Sequence, residues 1–133
     1  ARQLGRTLLT QYGIDLSTTP VATSTYTRAI ETATEAGALL LRSDPRLDEL
    51  EPDETGIPRS EIRDVIASRK FPEKVLQIVK HRLDTPPPEK VWVTHGAFIA
   101  ALCILTHQDE EFEDLKPAFG EVRRINLDAI YSE

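Results

Sequence analysis

Residues 91–102 read VWVTHGAFIAAL, and this stretch decides the fold class. Its first part, Val91–Val93, is a short apolar run that predicts a buried strand. A second apolar run over residues 97–105 predicts a helix. His95 and Gly96 lie where the strand meets the helix. A strand that leads directly into a helix is typical of α/β proteins.

The rest of the chain alternates helices and strands in the same way. Asp44-Pro45 breaks the second helical pattern, and Pro86-Pro87-Pro88 ends the fourth. We expect helices over residues 1–12 (Leu4, Leu8, Leu9 and Tyr12 on one face, Gly13 as the stop), from a cap at Ser24 or Thr25 to Leu41, from Ser60, from Pro72 to Leu83, and over 97–105. We expect strands at Val21–Thr23, at Val91–Val93 and over residues 122–127, and a long surface loop over 46–58.

These elements predict one α/β domain over residues 1–133. Two of the strands are short and apolar, as strands covered on both faces are. The economical architecture is a three-layer α/β/α sandwich with a mostly parallel sheet. In such sheets ligands bind beyond the carboxyl ends of the strands.

Length and composition limit the classes of function. The chain has 133 residues, enough for a core that needs no disulfide, and a formal charge of −6. That charge argues against a general nucleic-acid or membrane-surface binder. The single cysteine, Cys103, lies in an apolar run and fits a reducing cytoplasm. No signal peptide or membrane-spanning stretch is apparent in the sequence.

Polar side chains follow two of the predicted strands. Ser24 and Arg28 follow the first, and His95 and Gly96 follow the strand at Val91–Val93. Unpaired N–H groups at the start of a helix attract anions, and a guanidinium binds phosphate or carboxylate bidentately. Gly96 allows a ligand close to the backbone. The two junctions together predict that Arg28 and His95 converge on one oxyanion.

Each of these residues also has a purely structural interpretation. Arg28 alone fits a surface salt bridge to Glu31 or Asp44. His95 alone fits a capping or core histidine whose ring is satisfied by a backbone carbonyl. The acidic run around Glu49 fits a solvated loop.

Three segments, taken in order, resemble the histidine phosphatase superfamily, the phosphoglycerate-mutase-like phosphatases. VATSTYTRAIETA (residues 21–33) is similar to its signature of a strand followed by Ser-Pro-x-x-Arg-Ala-x-x-Thr-Ala, with Thr25 in place of the proline. DPRLDEL (44–50) resembles the family's Leu-x-Glu element, and VWVTHGAFIAAL its late strand–His-Gly–helix element. The likeness covers nearly the whole chain.

The resemblance implies phosphoryl transfer through a phosphohistidine, with no cofactor and no metal. Arg28 and His95 take the places of the family's second arginine and second histidine, which bind the phosphoryl oxygens. Ser24 and Gly96 complete the predicted phosphate site, and Glu49 matches the general acid of many members. A transferred phosphoryl group spreads its charge over its oxygens, so positioning and cationic donors supply most of the catalysis.

The family's nucleophilic histidine lies in an Arg-His-Gly that this sequence does not contain. His81 lies among charges in a predicted helix, and His107 suits a helix C-terminus. Residues 1–5, ARQLG, resemble the family's first helix, which follows a first strand carrying the nucleophile. Either the chain is a truncated phosphatase or it is a naturally inactive domain; as written, we expect it to be inactive by the family's route.

The expected partner is a small phosphorylated substrate or a phosphoprotein, in a chain that also allows a homo-oligomer. The substrate is a phosphate monoester or a phosphoramidate, selected by loops 46–58 and 107–121. The alternative function is a catalytically dead phosphate-binding or protein-interaction module. A nucleotide-binding domain is disfavoured because no Gly-rich phosphate loop occurs, and a metal hydrolase because the three histidines are scattered.

Overall fold

The computed structural model describes residues 2–106 and 122–131. These residues divide into two compact units. The first, here called the sheet unit, comprises residues 2–48, 86–95 and Val122. The second, the helical unit, comprises residues 49–85, 96–106 and 123–131. The prediction of one domain stays a prediction.

The sheet unit contains the parallel sheet that the sequence predicts. Its elements are helix α1 (Arg2–Tyr12), strand β1 (Val21–Thr23), helix α2 (Thr27–Glu35), strand β2 (Leu41–Ser43) and strand β3 (Val91–Val93). The strand order is β2-β1-β3, and both pairings are parallel. The central strand β1 is fully buried, as predicted, while β3, an edge strand of the described sheet, is half-buried. The mixed α/β class is therefore confirmed.

The core of the sheet unit forms between α1, α2 and the sheet. Leu8, Leu16, Val21, Ala33 and Ala38 are buried together there, and Val91 and Val93 pack against them. Leu9, predicted on the buried face of α1, is instead 54% exposed. A Cβ at Gly5 would lie 2.1 Å from the carbonyl oxygen of Ala36, so only glycine allows this close approach.

The helical unit is built around a fully apolar helix. It contains α3 (Pro52–Thr55), α4 (Arg59–Ser68), α5 (Glu73–Arg82) and α6 (Gly96–Leu105). α4 and α5 both contact α6, and seven of its ten residues are buried. Cys103 is among them, with none of its surface exposed. A helix that is apolar all round belongs in a core, which explains its weak amphipathic pattern.

The second predicted helix is too long. It ends at Glu35, and Leu41 starts strand β2 instead of continuing the helix. Gly37 has φ +106°, and the N–H groups of Gly37 and Ala38 donate to the carbonyls of Thr34 and Ala33. This is a Schellman motif, in which a left-handed glycine closes the helix. Leu40 and Leu41 keep the helical spacing of apolar residues beyond Gly37, which is why the sequence predicts a longer helix.

Two further predictions are wrong. The segment 46–58 is not a plain surface loop: it holds the end of a 3₁₀ helix (Pro45–Leu47) and α3, and it buries Leu47 and Leu50. The strand predicted over residues 122–127 is absent, and a 3₁₀ helix occupies Leu127–Tyr131. The Asn126 side chain accepts from the N–H of Asp128, a local turn that competes with strand pairing.

Candidate functional site

The ends of β1 and β3 bring two of the predicted site residues together. Ser24 follows β1 and His95 lies two residues after β3, and the N–H of Ser24 donates to the Val93 carbonyl. Ser24 Oγ lies 2.7 Å from His95 Nε2. Ser24 is fully buried and His95 is 9% exposed. The two residues are 71 positions apart in the sequence and meet because their strands are neighbours.

Ser24 has a second contact that fixes its hydroxyl. The N–H of Tyr26 donates to Ser24 Oγ at 3.2 Å. The Tyr26 ring also lies against His95, with 4.6 Å between the ring centroids and an angle of 49° between the planes. Because Ser24 is buried and already bonded, it holds the imidazole in place in this structure. The sequence interpretation of Ser24 as a phosphate ligand did not include this contact.

The start of α2 has no side-chain cap among the described residues. Its N-cap residue is Tyr26, not Ser24 or Thr25 as predicted, and no side chain of residues 2–106 or 122–131 bonds its first N–H groups. Within the described residues, the backbone N–H groups of Thr27 and Arg28 have no hydrogen-bond partner. These groups carry the positive end of the helix dipole. The helix start is therefore able to accept an anion.

Arg28 lies in this first turn, and its side chain is exposed. Among the described residues, its guanidinium has no ion pair or hydrogen bond. The proposed salt bridge to Asp44 is wrong because Arg42 and Arg46 bind that carboxylate, at 2.9 and 2.6 Å. Arg42 also binds Glu89. The convergence of Arg28 and His95 on one anion stays a prediction.

Asp44 is the most strongly perturbed acid near the sheet. It is 2% exposed, and hydrogen bonds from Arg46 hold the pKa of its carboxyl well below the usual range. Arg42 lowers the pKa of Glu89 in the same way. These four side chains form an ion-pair network, which accounts for the charges in this part of the chain without a ligand.

Thr25 has a partner that the sequence did not reveal. Its N–H donates to Asp48 Oδ1 at 2.7 Å, and its hydroxyl lies 2.8 and 2.9 Å from the two carboxylate oxygens. A proline, which the resembled signature has here, could not donate the backbone N–H. Threonine in place of the signature's proline therefore allows the backbone hydrogen bond to Asp48.

Glu49 and Gly96 belong to the helical unit. Glu49 caps α6: Oε2 accepts from the N–H of Ala97 at 3.3 Å, and Oε1 from Phe98 at 3.1 Å. Oε1 also accepts from Leu50 N–H at 3.0 Å. Gly96 is the first residue of α6. An internal carboxylate therefore already occupies the helix start that was predicted to bind phosphate.

The remaining predicted features are quickly placed. His81 is 88% exposed, as expected, and lies 3.6 Å from Asp84. His107 and the loop 107–121 lie outside the described residues. Over residues 2–106 and 122–131, no group of three His, Cys, Asp or Glu side chains is arranged to hold a metal ion. In the same part of the chain, no helix has the length and apolarity needed to cross a bilayer.

Comparisons with known proteins leave the family open. The chain matches no protein-family model, no curated protein and no solved structure.

Proposed function

We propose that this chain supplies the phosphoryl-binding part of a metal-independent phosphohydrolase or phosphotransferase of the histidine phosphatase type. The reaction proceeds through a phosphohistidine on a phosphate monoester or phosphoramidate. The complete domain is a three-layer, phosphoglycerate-mutase-like sandwich that works in the cytoplasm on a small phosphorylated molecule or a phosphoprotein. The observation that carries the proposal is the buried Ser24–His95 pair at the ends of neighbouring strands.

Arg28 supports this proposal through its position. A cation in the first turn of a helix opposes the helix dipole, and the side chain has no acidic partner among the described residues. The backbone N–H groups of Thr27 and Arg28, in the same turn, also have no partner among the described residues. A phosphate would satisfy both the charge and the donors. In the proposal Arg28 binds the phosphoryl oxygens bidentately.

His95 contributes the second donor. Its Nε2 is bonded to Ser24, which orients the ring, and the Tyr26 ring limits its tilt. A ring held by a buried hydroxyl loses little freedom when it binds a ligand, which favours a fixed geometry for phosphoryl transfer. Ser24 then acts as a positioning residue.

The contacts of Glu49 favour one substrate class over the other. All three groups that bond its carboxylate are N–H donors, so it serves as an acceptor in this structure. A phosphate monoester releases an alkoxide that needs a proton from an acid such as Glu49. A phosphoramidate releases a better leaving group and needs less help. The capping contacts of Glu49 therefore favour a phosphoramidate.

The nucleophile is not among these 133 residues, because the sequence holds no Arg-His-Gly. In the proposal it belongs to a segment of the full-length protein outside this sequence. Acid-quenched labelling separates the possibilities, since phosphohistidine is acid-labile. We expect the full-length protein to form it and the 133-residue chain not to. If the full-length protein never forms it, the alternative function holds: a catalytically dead phosphate-binding or protein-interaction module.

Phosphate binding to the 133-residue chain tests the pocket itself. Titration with inorganic phosphate and with vanadate, followed by NMR, should shift the signals of Thr27, Arg28 and His95. We expect Arg28→Ala to weaken binding at least about tenfold, a loss of roughly 1.4 kcal/mol. Arg6→Ala is the matched control, because Arg6 is exposed on α1 of the same unit. Equal affinity of both variants would reject the pocket.

A further inference from the structure

The residues that lead into β2 present an unusual apolar surface. Leu39, Leu40 and Leu41 are consecutive and are 73%, 50% and 37% exposed. β2 is an edge strand of the described sheet, paired only with β1. An exposed apolar edge strand is a template for pairing with another chain unless charge or a bulge protects it. The single charged side chain of β2, Arg42, is already bound to Glu89 and Asp44.

The outer edge of β2 has backbone groups that no described residue bonds. Toward β1, the Leu40 carbonyl accepts from Val21 and the N–H of Asp44 donates to Thr23. In a strand, alternate residues direct their backbone groups to opposite sides. The groups of Leu41 and Ser43 therefore point away from β1, and they have no partner in the described residues.

We propose that the edge formed by residues 39–43 pairs antiparallel with the same edge of a second copy of this chain. With Leu41 opposite Leu41 of the second copy, Leu39 lies opposite Ser43. Leu41 and Ser43 have outward backbone groups, so this register places Leu41 in a hydrogen-bonded position of the antiparallel ladder and directs the groups of Ser43 toward the second copy. The register is self-complementary, which gives a closed two-fold dimer.

The charges of the edge are compatible with this occupant, and the contact area limits the strength of the dimer. In the proposed register Arg42 lies opposite Leu40 of the second copy, so the two Arg42 side chains do not face each other directly. Their charges are also balanced within each chain by Glu89 and Asp44. The contact is one short strand and three leucines on each side, below the roughly 1,600 Å² of a standard interface. The dimer is therefore weak and forms reversibly at high protein concentration.

The test is sedimentation velocity of the 133-residue chain over a series of concentrations up to about 1 mM, where even a dimer with a Kd of about 1 mM is populated. We expect a reversible monomer–dimer equilibrium. Leu39→Lys and Leu41→Lys should each shift it to monomer by at least about tenfold, because each introduces charge into the edge. Leu9→Lys is the matched control, since Leu9 is 54% exposed on α1, away from β2. Circular dichroism checks that each variant is folded.

Hydrogen exchange locates the interface independently of these substitutions. The amides of Leu41 and Ser43 should gain protection as the concentration rises, while the amide of Asp44, bonded to Thr23, is protected throughout. A chain that stays monomeric at about 1 mM overturns the proposal. So does a dimer whose Leu41 and Ser43 amides stay unprotected, or one that both lysine variants leave intact. None of these outcomes depends on phosphate binding.

Discussion

The two strand-to-helix junctions have similar sequence patterns, but the first N–H groups of their helices are bonded differently in the structure. After β1, helix α2 starts with unpaired N–H groups and an unpaired Arg28, within the described residues. After β3, helix α6 starts with its N–H groups bonded to Glu49. Each junction was predicted as half of an anion site. Only the start of α2 still has its donors available, because α6 already holds an anion of its own chain.

The difference shows what decides the chemistry of a helix start. Both junctions have polar residues after an apolar strand, and both helices have a positive N-terminal dipole. A carboxylate that is distant in the sequence closes one of them. Asp48 and Glu49 are adjacent, and they bond Thr25 and the α6 N-terminus respectively. One acidic pair thus has a contact at each junction.

The largest expected effect on stability comes from removing the carboxylate that caps α6. Glu49→Ala should lower the free energy of unfolding by about 2–3 kcal/mol, because Ala97 and Phe98 are buried and their N–H groups would lose a charged acceptor. Urea denaturation measures this. Glu51→Ala is the control, because Glu51 forms an ion pair with the largely exposed Arg59 side chain, and such surface pairs contribute little. A loss no greater than that of Glu51→Ala would contradict the capping role.

The next effect concerns the ion pairs that Asp44 forms with Arg42 and Arg46. Asp44→Asn removes the carboxylate that binds Arg42 and Arg46, and we expect a loss of about 2 kcal/mol at pH 7. The native pKa of Asp44 lies well below its ordinary value of 3.8, so its stabilisation is present above that value and is lost as the pH falls. The difference from wild type should therefore shrink below about pH 4.

Denaturation at several pH values checks that slope. Asp53→Asn is the control, since Asp53 is exposed on α3. If the variant and the wild type differed by the same amount at pH 7 and pH 3, the ion pairs would not be the source of the stabilisation.

A smaller effect is expected at the Ser24–His95 pair. Ser24→Ala should cost about 1 kcal/mol, because it leaves His95 Nε2 without its bonded hydroxyl in a buried place. Nitrogen-15 NMR of the imidazole should show a change at Nε2, which a general packing defect would not produce. Ser43→Ala, on the exposed strand β2, is the matched control. An unchanged His95 spectrum would contradict the hydrogen bond between Ser24 and the imidazole.

How far the sequence reaches can be judged at particular residues. Local patterns gave the parallel strands β1 and β3 and the helices α1, α4, α5 and α6. They failed at β2, because Gly37 ends α2 while the leucine spacing continues. The pairing of Ser24 with His95 required knowing that β1 and β3 are neighbours, and no local signal in one sequence gives strand order. Glu49 caps Ala97 and Phe98, which lie 48 and 49 positions further along the chain. No local periodicity predicts a contact over such a separation.

The smallest effect on stability is expected at the start of α2, whose first N–H groups have no partner in the described residues. The sign of this effect separates an anion site from a simple uncapped helix end. Arg28→Ala removes a cation from the positive end of α2, so without ligand the variant should be equal to wild type or more stable by a few tenths of a kcal/mol. Added phosphate should then stabilise the wild type, since a ligand that binds only the folded state raises its stability. The variant should gain much less, so the order of the two melting temperatures reverses as phosphate is added. Glu49→Ala, by contrast, should stay below wild type at every phosphate concentration. If Arg28→Ala and wild type gained equally from phosphate, the open start of α2 would be only an uncapped helix end, no different in function from the closed start of α6.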